Sequence, residues 1–109
     1  MKSLIQYEEY GPNMGFPSMT TYFEAEPYPN IEKIIYYLEN GTKTYVRAGL
    51  GKDFFTGERF GTEYVGMTDG EYSWNTSLVY YVKKYNLRLP MEFENKVVSR
   101  LSETTRIIS

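Results

Sequence analysis

The sequence predicts an α+β fold, a small glycine-rich antiparallel sheet packed by about three helices. Three observations carry that expectation. Apolar residues recur at three- and four-residue steps in three separate stretches, within 31–38, 74–85 and 93–101. Between them lie short segments rich in threonine, valine and aromatic residues, the composition of strands. Glycines at 49, 51, 57, 61, 66 and 70 make a long helix through the middle of the chain costly, at about 1 kcal/mol each. With 109 residues, the chain is expected to build one core as a single domain, residues 1–109.

In chain order, residues 2–7 are expected to form an edge strand, broken by Gly11-Pro12-Asn13 and then by Gly15 and Pro17. Met19 to Phe23 is expected to be a second strand, and Glu24 to Pro29 a connection. The first helix spans 31–39. Asn30 is its expected cap, Ile31, Ile34, Ile35 and Leu38 its apolar stripe, and Asn40-Gly41 its left-handed stop. Thr42 to Ala48 is a strand, and 59–67 holds one or two more between turns at 56–58 and 68–70. Ser73 is the expected cap of a second helix, whose inner face carries Trp74, Leu78, Tyr81, Val82 and Tyr85. Lys83 and Lys84 complement its C-terminal dipole, and Asn86 ends it. Pro90 begins a third helix with Phe93, Val97 and Leu101 on one row, and Ile107 and Ile108 are expected to pack as a strand or to fray.

The chain has neither cysteine nor histidine. Thiolate catalysis, disulfides and iron–sulfur ligation are thereby excluded, along with the usual zinc sites and the commonest acid–base catalyst. No cofactor and no bound transition metal are expected. The formal charge is -2, with six glutamates against two lysines in residues 1–41. No clustered basic run supports nucleic-acid binding: Lys83, Lys84 and Arg88 are explained by a solvated helix end. The start lacks a signal-peptide pattern and no apolar run is long enough to span a membrane, so a cytoplasmic protein is expected.

Among candidate sites, Gly49-Leu50-Gly51-Lys52-Asp53 departs from the phosphate-loop pattern: Asp53 stands where a hydroxyl residue is needed and the first glycine is misplaced. The acids Asp53, Glu58, Glu63, Asp69 and Glu71 could pair for acid–base work or gather a cation, but acids in turns are generally solvated. The run from Asp69 to Trp74 carries the most information. Its structural reading has Asp69-Gly70 closing a turn and Trp74 anchoring the helix to the sheet. Its functional reading presents Asp69, Glu71 and Tyr72 as an exposed acidic–aromatic contact patch. Adjacent helical tyrosines cannot both face the core, which leaves Tyr80 of the 80–81 pair, and Tyr37 of the 36–37 pair, as further contact candidates for a partner or a second copy in a homodimer.

The Asp69-Gly70-x-Tyr72-x-Trp74 turn, the Tyr80-Tyr81-Val82 helix and the Leu89-Pro90-x-Glu92-Phe93 linker resemble the C-terminal part of small bacterial proteins, some of them similar to toxin-neutralising immunity proteins. The resemblance covers about residues 68–97, carries no active site, and implies a binding protein. The expected function is therefore protein binding, as an inhibitor or immunity factor whose acidic surface steers it toward a basic partner. A hydrolase or lyase using carboxylates and tyrosines is the alternative, and a structural homo-oligomer without a dedicated ligand is a third.

Overall fold

The computed structural model describes residues 2–49, 51–61 and 63–108, with side chains through Leu101. Its elements are β1 (Lys2–Ser3), α1 (Ile31–Glu39), β2 (Thr42–Ala48), β3 (Gly51–Lys52), β4 (Arg59–Phe60), β5 (Glu63–Thr68), β6 (Tyr72–Asn75), α2 (Thr76–Tyr85) and α3 (Met91–Ile108). This is the expected α+β arrangement with three helices. The main sheet runs β1-β6-β5-β2, and β3 pairs with β4 in a separate two-stranded ribbon.

The sheet is mixed where an antiparallel one was expected. β1 lies parallel to β6, with Lys2 opposite Tyr72 and Ser3 opposite Ser73. A parallel pair needs a long crossover, and the chain between these two strands supplies it. The remaining ladders are antiparallel, with β5 between β6 and β2. That order leaves β2 on one edge.

Residues 19–22 form a 3-10 turn where a strand was expected. Local polar partners outcompete the strand propensity of the threonines. The Ser18 hydroxyl accepts from the Thr20 N–H, and the Glu9 carboxylate accepts from the Met19 N–H at 2.9 Å. Met19 is thereby turned fully into the core.

Helix α1 has the predicted limits, but its ends differ from expectation. Asn30 makes no side-chain cap; its amide donates to Glu94 at 3.3 Å, tying α1 to α3. Gly41 is not left-handed. A glycine is needed there because a Cβ would stand 2.7 Å from the Trp74 ring.

The cap of α2 is Asn75, whose Oδ1 accepts from the N–H groups of Ser77 and Leu78. Ser73, the expected cap, lies inside β6 opposite Thr68, because sheet pairing continues two residues further than the turn suggested. Asn86 ends the helix, as expected, and does so in the left-handed conformation. Beyond Leu101 the backbone of α3 stays helical to Ile108, where a strand or a frayed end was expected; the side chains of Ile107 and Ile108 lie outside the described residues.

The core gathers Ile34 and Leu38 of α1, Leu78, Tyr81 and Val82 of α2, and Phe93 and Val97 of α3 against Met67 and Trp74 of the sheet. Trp74 is 3% exposed, and its indole N–H donates to the Leu38 carbonyl at 3.0 Å. This places a polar group of the strand on the end of α1 without leaving it unsatisfied.

Candidate functional site

The turn at 69–72 is built inward. Asp69 Oδ1 accepts from the N–H groups of Glu71 and Tyr72, at 2.9 and 2.7 Å. Its Oδ2 accepts from the Tyr37 hydroxyl at 2.7 Å and pairs with Lys96 at 2.9 Å. Burial opposes ionisation here, but the Tyr72 N–H, the Tyr37 hydroxyl and Lys96 together outweigh it and hold the carboxyl well below the usual aspartate range.

Tyr72 is not the exposed ring of a contact patch. It is 7% exposed and stands edge-on to Phe93 at 5.1 Å. The reason is strand alternation: Tyr72 and Trp74, two residues apart, share the face turned to the helices. Of the three contact candidates in this run, Asp69, Glu71 and Tyr72, Glu71 is the one open to solvent, and it bridges Lys96 and Lys2. Tyr37 is half-buried beside Asp69, whereas Tyr36 is the open member of its pair at 59%.

A second inward carboxylate was read from sequence as a surface acid. Asp53 is 1% exposed. Its Oδ1 accepts from the Phe55 and Thr56 N–H groups, at 2.7 and 3.0 Å, an aspartate turn closed by left-handed Gly57. Its Oδ2 accepts from the hydroxyls of Tyr80 and Tyr85, both at 2.7 Å, with Lys84 3.5 Å away. Desolvation is again outweighed, here by the Tyr85 and Tyr80 hydroxyls and the two amides, so the carboxyl stays ionised far below neutrality. Burial and then the bond to Asp53 push the Tyr85 hydroxyl up to about 12, which keeps it a donor. The signal in the sequence was Asp53 four residues before Gly57, but nothing local told which tyrosines would meet it.

The segment 51–60 is therefore an arm laid across α2. Phe60 stacks on Tyr80 at 3.7 Å between ring centroids, and Phe54 stacks on Tyr81 at 5.8 Å. Tyr80 is only half-buried, yet one side of its ring and its hydroxyl are both taken by the arm. Tyr80 and Tyr37 do not share a surface: one belongs to the Asp53 cluster and the other to the Asp69 cluster. The glycine run has a packing cause too, since a Cβ on Gly51 would stand 2.7 Å from the Phe60 ring. Leu50 lies outside the described residues.

The strand β2 is open along its whole length. All seven of its residues are exposed, Tyr45 at 47% and Val46 at 57%. The Tyr45 ring covers the Cα of Gly66 on β5, where a Cβ would collide with it, and the Arg47 guanidinium sits 5.6 Å from the ring centre. Among the described residues, neither Lys43 nor Arg47 has an ion-pair partner. A cavity of about 460 Å³ opens beside the strand, between α2 and β5.

Comparison with protein-family models, curated proteins and solved structures returned no match. Among the described residues no group of three or more acids is placed to hold a metal ion, and no helix is long and apolar enough to cross a membrane.

Proposed function

We propose that this chain works by binding another protein, taking an extended segment of its partner against the edge of β2. The carrying observation is a seven-residue edge strand exposed on both faces, with Tyr45 and Val46 standing open in its middle. In strand addition, main-chain hydrogen bonds provide affinity and alternate side chains provide specificity. Lys43 and Arg47, without an ion-pair partner among the described residues, favour a segment with acidic side chains. This edge is thus basic, whereas the chain's net acidity pointed to an acidic surface seeking a basic partner. An inhibitor or immunity role follows if the bound segment belongs to the partner's working surface. The carboxylate–tyrosine hydrolase draws less support, since Asp53 and Asp69 spend their acceptor capacity on donors of their own fold.

The test is photo-crosslinking from position 44 in the native cell, followed by surface plasmon resonance with the partner so captured. Val46→Asp with Arg47→Glu is expected to weaken that complex by about 30-fold or more, the scale of one lost interface anchor. Tyr36→Ala, on an exposed face of α1, should leave it unchanged. Equal affinity for the wild type and the β2 double variant would reject the edge as the contact.

A further inference from the structure

We infer that the cavity between α2 and the outer half of the sheet is a binding site for a small, flat, apolar monoanion, an aryl or short acyl carboxylate. The inference rests on the cavity's own walls and shares with strand addition the Lys43 ammonium alone. Its walls come from three elements. Val65 and Met67, two residues apart on β5, present one face; Val79 comes from α2; and Phe60, stacked flat on Tyr80, closes one side. About 460 Å³ lies within the range of natural small-ligand pockets, about 300–1,000 Å³. The hollow follows from the fold. α2 lies over β5 and β6, while β2 is left uncovered along its whole length. At the mouth, left-handed Gly61 has no side chain, and a Cβ there would meet nothing within 4 Å.

The polar groups at the rim set the charge of the ligand. Lys83 is matched by Glu39 at 2.7 Å, whereas Lys43 has no ion-pair partner among the described residues. Two ammonium groups against one carboxylate leave a single positive charge beside an apolar pocket. That arrangement suits one anionic head on an apolar body, with the body on Val65, Met67 and Phe60 and the head toward Lys43.

The probe is 2-naphthoate, titrated into the isotope-labelled protein and followed by nuclear magnetic resonance, with 2-naphthalenemethanol as its uncharged counterpart. The expected result is saturable shifts at Val65, Met67 and Val79, with Kd about 1 mM or tighter for a ligand of this size. The alcohol should bind about 5-fold more weakly, the worth of one partly exposed charge. Lys43→Gln, at an exposed position, should bring the two probes to equal affinity, and Val65→Trp should fill the pocket and abolish the shifts. Absence of saturation, shifts centred on the exposed Phe54–Phe55 pair, or equal binding of acid and alcohol to the wild type would each overturn the proposal.

Discussion

Asp53 is a buried carboxylate whose acceptor positions are filled from within the fold. Its two oxygens receive two backbone amides and two tyrosine hydroxyls while the residue is almost wholly withdrawn from water. Replacing it with asparagine puts an NH₂ group where one pair of donors already points. The Asp53→Asn variant is therefore expected to lose about 1.5–3 kcal/mol in urea denaturation, the range for hydrogen bonds to a charged group. The acid limb of stability has the same origin. Asp53 and Asp69 both titrate lower in the folded chain than the unfolded value of about 3.9. Their contribution is full above that value and drains away as pH falls below it toward the folded values. The urea midpoint should change little through these two groups between about pH 5 and 7, and fall below about pH 4. Asp53→Asn should make that fall shallower. A midpoint that drops equally steeply in the variant would assign the acid limb to other carboxyls.

At the scale of elements, side-chain periodicity located α1 and β2 to the residue, because each has a repeating pattern ended by turn chemistry. It failed at 19–22, where Ser18 and Glu9 capture the amides that a strand would have used. It also misplaced the start of α2. Ser73 and Asn75 are both chemically suited to a cap, and only the sheet register decides between them. Asn75→Ala should cost about 1–2 kcal/mol, while Ser73→Ala should change stability by no more than a few tenths. The reverse order in thermal or chemical denaturation would restore Ser73 as the cap.

At the scale of the molecule, the glycine-rich middle proves to be a folded arm latched to α2 by one carboxylate and a bank of stacked rings. Tyr81 contributes as well, its hydroxyl accepting from the Phe54 N–H at 3.0 Å. Removing two of the latch donors, as in Tyr80→Phe with Tyr85→Phe, should release the arm without unfolding the core. Hydrogen exchange is expected to lose protection across Asp53–Phe60, with β6 and α1 remaining protected, since local opening needs only the free energy of that unit. Uniform loss of protection over the whole chain would show that arm and core unfold together.

The sequence by itself determined the α+β class, the three helices and the order of most elements, since those follow from local periodicity and turn residues. It also determined which chemistries lie outside reach, since no arrangement in space supplies a missing histidine or cysteine. Only the tertiary structure decided that Tyr72 faces inward, that Asp53 is a buried acceptor, and that Tyr37 and Tyr80 belong to separate clusters. It likewise decided that Tyr45 and Val46 of β2 are left open at a sheet edge. Each of these depends on partners far away in the chain, Asp53 on Tyr80 and Tyr85, Tyr72 on Phe93 and β2 on having one neighbour. A residue's exposure is the sum of such distant contacts, and a local pattern carries no record of them.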